Sequence, residues 1–202
     1  MLCHPIKNRT LALLVLATLP AVAFTLFLGD ALDKLLGGWF LGPAFFVTAL
    51  FMFLADRAAK RERPRTDEVT EKTALLMGAF QAIAILPGVS RSGSTVLGGL
   101  TAGLTRKKAA AFSFMMSAPA ILGGFVLEVK DALDAGGISS LVSAPILLGV
   151  LVSALVGYAA IRFMLNVIEH KRLRGFSYYL IALGAFVIVC QLTGFLGFAP
   201  LF

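Results

Sequence analysis

Apolar residues run along this chain in blocks longer than one face of a globular helix requires, and short polar links separate them. Leu11–Leu28, Trp39–Ala55, Ala109–Val129, Val142–Leu165 and Tyr178–Leu196 each approach or exceed the roughly 20 residues a helix needs to cross a hydrocarbon core of about 30 Å. Pro20 marks a kink point within the first, a polar link with Asp30, Asp33 and Lys34 follows it, and Trp39 is placed as an interface anchor. The most hydrophilic stretch is Asp56–Lys72, where Pro64 argues against one continuous helix. One block breaks the pattern. Thr73–Leu86 reaches only about 21 Å as a helix, Pro87-Gly88 interrupts it, and a second short apolar piece runs from Thr95 to Leu104.

Charge decides how that broken block lies. Arg57, Lys60, Arg61, Arg63, Arg65 and Lys72 precede it, and Arg106, Lys107 and Lys108 follow it. A single crossing would put these clusters on opposite faces, whereas basic loops gather on the cytoplasmic side. Thr73–Leu104 is therefore expected to enter and return on one side as a re-entrant helical hairpin. Lys171–Arg174 then also falls inside, and Lys34 and Lys130 are the basic loop residues left outside. The expected architecture is all-α: a single polytopic integral membrane domain over 1–202, with about five transmembrane helices, one re-entrant hairpin at about 73–104 and a cytoplasmic basic loop at about 56–72.

Composition agrees with a membrane protein. Hydrophobic residues make up 58% and charged residues 14%, against about 25% charged in soluble domains, and mean hydropathy is +0.90. The net charge of +7 resides in clusters between apolar runs, which points away from nucleic acid. Cys3 and Cys190 stand far apart and resemble neither a metal site nor a disulfide framework. No small-residue cleavage site clearly follows Leu11–Leu28, so a cleavable signal is not expected.

The chemistry gathers at the hairpin's tip, PGVSRSGST (Pro87–Thr95). An arginine inside a membrane is costly and keeps its charge, so it calls for a partner. Gly88 and Gly93 allow close backbone approach, Ser90, Ser92, Ser94 and Thr95 offer hydroxyls, and Ser94 or Thr95 can cap the helix that follows. Guanidinium, hydroxyls and a helix N-terminus together describe a phosphate site. Gln81 lies at the same depth and either lines that cavity or packs in the core. The competing reading is tight small-residue packing, with Arg91 paired to a buried carboxylate or snorkelling to the interface. His4, His170 and Glu71 read as surface or membrane-edge residues, and Glu128, Asp131 and Asp134 as solvated loop residues. Gly99-x-x-x-Gly103 and Gly149-x-x-x-Ser153-x-x-x-Gly157 are expected to serve internal packing, and Phe45, Phe46, Phe51 and Phe53 to face lipid or neighbouring helices.

The run GAFQAIAILPGVSRSGSTVLGGLTAGLTRKKAAAFSFMMSAPAILGG (Gly78–Gly124) resembles the C-terminal signature region of the undecaprenyl-diphosphate phosphatases, the bacitracin-resistance proteins. The likeness extends to LPAVAF near the start and to the closing spans. It implies two inverted repeats with re-entrant hairpins, and a multi-pass enzyme of the bacterial inner membrane. Such an enzyme hydrolyses undecaprenyl diphosphate to undecaprenyl phosphate and inorganic phosphate, recycling the carrier of peptidoglycan synthesis. By the resemblance Arg91, Ser90, Ser92 and Thr95 would be catalytic, and Gly88, Gly93, Ser94 and Gln81 would bind substrate. A divalent cation, Mg or Ca, is implied without any ligand identified here, and the partners implied are the polyprenyl diphosphate and the membrane; a homodimer is the alternative use of the small-residue stripes at Gly99 and Gly149. The family's first signature, of the form EGxxEFLPxSSxGH, has no counterpart in these residues. These 202 residues alone are therefore expected to be weakly active or inactive, and non-hydrolytic lipid-phosphate binding or transport is the alternative.

Overall fold

A computed structural model of the chain describes residues 8–35, 39–61, 64–134, 144–171 and 173–194. Seven helices follow one another: α1 (Asn8–Leu35), α2 (Leu41–Lys60), α3 (Glu71–Ile83), α4 (Arg91–Thr101), α5 (Arg106–Asp134), α6 (Ala144–His170) and α7 (Arg174–Thr193). Five of them, all but α3 and α4, are long and apolar enough to cross a membrane. The chain is thus an all-α, polytopic membrane protein.

The helices extend further than the apolar blocks suggested. Asp30, Asp33 and Lys34 belong to the end of α1 and not to a link, and α1 and α5 continue through Pro20 and Pro119. Asp56–Lys60 is the last turn of α2, so the basic loop starts later than expected. Glu128 and Asp131 are exposed on α5, on a helix and not in a loop. Apolarity measures the stretch that avoids water, whereas backbone hydrogen bonding continues for a turn or more into the polar layer. His4, Cys3 and residues 135–141 of the last expected outer link lie outside the described residues.

The broken block is a hairpin, and its ends meet. Thr66 donates its N–H to the Gly103 carbonyl at 3.1 Å, and Thr105 returns one to the Thr66 carbonyl at 3.1 Å. Arg65 locks the same closure, donating Nη1 to the carbonyls of Leu100 and Leu104 at 2.9 and 3.2 Å. Thr70 caps α3, its hydroxyl accepting from Thr73 N–H at 3.3 Å. The end of α4 is closed by Gly103 at φ +94°, with Leu104 N–H on the Gly99 carbonyl and Gly103 N–H on the Leu100 carbonyl. That pair of bonds is a Schellman closure, which glycine favours at this position.

Every helix end near the clasp is basic or pairs with a basic residue. Arg9 at the start of α1 meets Glu68 at 2.9 Å. Asp56 at the end of α2 faces Lys60, Arg106 and Arg174 at 2.8, 3.6 and 3.0 Å. Arg106 also donates to the Lys171 carbonyl at 2.7 Å. One end of the bundle therefore gathers the starts of α1, α3, α5 and α7 and the ends of α2, α4 and α6.

Helix α4 is the centre of the packing, with residues Gly93 to Leu100 all buried. Its glycines permit this. A Cβ at Gly98 would sit 3.0 Å from the Phe80 ring, and one at Gly99 would sit 2.9 Å from the Ala109 Cβ. Met77, Leu104, Phe112 and Met116 fill the space around it. Gly149 and Gly157 do not pack internally, contrary to expectation: residues 144–156 are exposed, and a Cβ on either glycine would meet nothing within 4 Å. Phe45 and Phe46 close on Gly184 of α7, Phe51 meets Phe80 edge-to-face at 6.0 Å, and Phe53 lies 5.0 Å under the Arg174 guanidinium.

Candidate functional site

The tip begins with a turn that its sequence prescribes. Leu86 to Val89 closes with the Val89 N–H on the Leu86 carbonyl at 3.1 Å. Pro87 holds the second position and Gly88, at φ +84°, the third, which is the pattern of a type II turn. A side chain at Gly88 would also press on the Ala44 Cβ at 2.8 Å. The next residue but one, Ser90, starts α4: its hydroxyl accepts from Gly93 N–H at 3.2 Å. The helix therefore opens at Arg91, and Ser90, not Ser94 or Thr95, is its cap.

Helical geometry then distributes the hydroxyls. Ser94 is fully buried and donates to the Ser90 carbonyl at 2.7 Å. Thr95 is buried as well, bonded to the Arg91 carbonyl at 2.9 Å and to the Ser113 hydroxyl of α5 at 2.6 Å. Both fasten the helix rather than facing a cavity. Ser90, Ser92 and Gly93 line a largely apolar cavity of about 190 Å³ with Thr48, Met52, Met164 and Tyr179, between α2, α4, α6 and α7.

Arg91 points the other way. It lines a groove of about 600 Å³ between α1, α3 and α5, together with Gln81, Thr18, Thr25 and Pro119. Its Nε donates to Gln81 Oε1 at 3.4 Å and its Nη2 to the Met116 carbonyl at 3.4 Å. Both bonds are long. Among the described residues no carboxylate pairs with Arg91, and its fork rests on an amide and a backbone carbonyl. Met116 stands ten residues along α5 from Arg106, about 15 Å from the basic end and hence near the middle of a core of about 30 Å. The tip residues thus divide between two cavities, with Arg91 and Gln81 in the larger and Ser90, Ser92 and Gly93 in the smaller.

Three further residues hold this arrangement, and the apolar pattern gave no sign of them. Thr48 of α2, buried, accepts from Ser90 N–H at 2.9 Å and donates to the Gly88 carbonyl at 3.4 Å. Ser113 anchors Thr95, and Met116 supplies a carbonyl to Arg91. A hydroxyl within an apolar helix is the only available signal for the first two, and it does not reveal the partner. His170 is exposed and bonds its own helix, Nδ1 to the Asn166 carbonyl at 3.0 Å. Glu71 is exposed on the first turn of α3. Among the described residues no group of three His, Cys, Asp or Glu side chains converges to hold a metal ion.

A bundle of five helices long and apolar enough to cross a membrane, packed around a clasped hairpin, defines a polytopic membrane protein. The family described as bacitracin resistance protein BacA matches residues 4–186. Undecaprenyl-diphosphatase 3 of Bacillus cereus is 36% identical over 192 residues, covering 93% of this chain and 73% of that protein. The undecaprenyl-diphosphatase of Carboxydothermus hydrogenoformans is 38% identical over 189 residues, with 93% and 72% covered. That of Rhodopirellula baltica is 36% identical over 186 residues, with 92% and 72% covered. The chain belongs to the BacA family.

Proposed function

We propose that this protein hydrolyses undecaprenyl diphosphate to undecaprenyl phosphate and inorganic phosphate, with Arg91 as the group that holds the diphosphate. The observation that carries this reading is a guanidinium at mid-membrane depth, at the head of a 600 Å³ groove, with two long hydrogen bonds and no carboxylate among the described residues. Family membership and relatives named undecaprenyl-diphosphatases support the choice of anion. Hydrolysis forms a bond from a water oxygen to the terminal phosphorus and breaks the bond from the bridging oxygen, which leaves on undecaprenyl phosphate, with negative charge spread over the bridging and phosphoryl oxygens. A planar, permanently charged fork in a groove walled mostly by apolar side chains stabilises that charge. Gln81 orients the fork through Nε. Ser90 caps α4 and so aligns its positive end with the tip, while Gly88 and Gly93 shape the approach. Ser92 faces the smaller cavity, and Ser94 and Thr95 keep the tip rigid.

Carried further, the reading places the protein in the bacterial inner membrane, with the basic end at the cytoplasmic face. In a homodimer a second copy would pack on the exposed stripe of Gly149, Ser153 and Gly157. A divalent cation needs a set of oxygen ligands, normally including carboxylates. The described residues around Arg91 offer hydroxyls, one amide and carbonyls, so they do not fit such an ion.

Phosphate release by the purified chain in detergent tests the proposal. Arg91→Ala is expected to lower release from undecaprenyl diphosphate by about a hundredfold or more, and Arg91→Lys to recover only part of it. Equal turnover by Arg91→Ala would remove the assignment. Binding of the lipid without release, abolished by the same substitution, would favour a non-hydrolytic carrier.

A further inference from the structure

Most cations at the basic end are engaged. Lys60, Arg106 and Arg174 converge on Asp56, Arg9 pairs with Glu68, Lys107 reaches Glu169 at 3.9 Å, and Arg65 bonds carbonyls of the clasp. Arg57 and Arg61, like Lys72, Lys108 and Lys171, are not, and of these five the two arginines line one cavity together. Among the described residues, no carboxylate lies within ion-pair distance of either and no carbonyl accepts from either guanidinium. They stand four residues apart at the end of α2, so they share one face. That face overlooks a cavity of about 200 Å³ between α2 and the hairpin, walled by Phe51, Leu54, Phe80 and Leu97. Phe51 and Phe80 meet edge-to-face at its side.

The two halves of this cavity ask for different things. Two arginines that no described carboxylate pairs, where α2 leaves its apolar stretch, attract a phosphate at the level of the headgroups. Six residues deeper, about 9 Å along the helix, the aromatic and aliphatic wall offers nothing to a polar solute and suits a hydrocarbon chain. One molecule has both parts in that order. We propose that this cavity is a binding site for an anionic phospholipid of the surrounding bilayer. Its phosphodiester pairs with Arg57 and Arg61, and the upper part of one acyl chain lies against Phe51, Leu54, Phe80 and Leu97. The site is separate from the groove of Arg91 and stands on the opposite side of α3 and α4.

The full chain, reconstituted with equimolar phosphatidylglycerol and phosphatidylcholine and re-extracted, tests this by mass spectrometry of the lipid that stays bound. Wild type is expected to retain phosphatidylglycerol about tenfold over phosphatidylcholine. Arg57→Gln with Arg61→Gln is expected to lose that preference, and Lys107→Gln with Lys108→Gln to keep it. Leu54→Trp, which narrows the apolar wall without altering charge, is expected to lower retention of both lipids. Equal retention by wild type, an unchanged preference in the arginine pair, or equal loss in the lysine pair (diffuse surface charge alone) would each overturn the site. Since both arginines are exposed, their replacement leaves the fold in place, and a monodisperse elution profile checks this.

Discussion

A single hydroxyl on α2 decides the shape of the tip. Thr48 joins the turn at Gly88 to the cap at Ser90, across some forty positions of sequence. Thr48→Val keeps the shape of the side chain but leaves the half-buried Ser90 N–H unpaired, at a cost of about 1 kcal/mol. A lower unfolding midpoint in detergent and a fall in the rate of phosphate release at saturating lipid are expected, with Thr48→Ser restoring both. If valine behaved as threonine does, the turn would be holding itself. At this scale the sequence pointed to the tip residues and not to how they divide between two cavities. Arg91 was legible because a permanent charge within an apolar block demands an explanation, and Gln81 because it shares that depth. The apolar piece that begins at Thr95 makes Ser94 or Thr95 read as the cap, whereas α4 opens four residues earlier, at Arg91. With Ser90 as the cap, both hydroxyls fall on the buried side. Thr48 was invisible, since nothing local distinguishes it from a threonine that bonds its own helix.

Helices and their ends were easier to read than their joints. The five long apolar blocks became the five crossing helices, and the short pair between basic clusters became the hairpin, because length and charge obey constraints set by the bilayer itself. What the pattern missed is the junction around Asp56. It sits at the polar edge of an apolar block and reads as the first loop residue, yet it is wholly buried and draws α2, α5 and α7 together through Lys60, Arg106 and Arg174. Asp56→Asn leaves three cations facing one another. Breaking a buried pair costs about 3–5 kcal/mol, and the partial exposure of Lys60 and Arg174 reduces this to about 2 kcal/mol. The expected result is an unfolding midpoint lowered by several degrees, measured in detergent at fixed salt. An unchanged midpoint would mean that packing alone joins these three helices.

For the molecule as a whole, the clasp between Thr66 and Leu104 fixes the path through the membrane. With both ends of the hairpin at the basic end, the hairpin is expected to contribute no crossing and five spans to carry the chain from Arg9 at that end to Gly194 at the other. Single cysteines at Arg61, Lys107 and Gly194, in a chain with Cys3 and Cys190 replaced by serine, report this directly. With an impermeant maleimide on sealed vesicles, the first two are expected to label from one side and the third from the other. Labelling of positions 61 and 107 from opposite sides would turn the hairpin into a crossing.

The same clasp fixes how the tip responds to the bilayer around it. Tethered from one face only, Arg91 lies about 15 Å from that face whatever the membrane's thickness. A longer acyl chain adds its extra hydrocarbon wholly on the far side, so thickening lengthens the route to the tip from one direction and leaves the other unchanged. Depth at this site is a property of the protein on one side and of the lipid on the other.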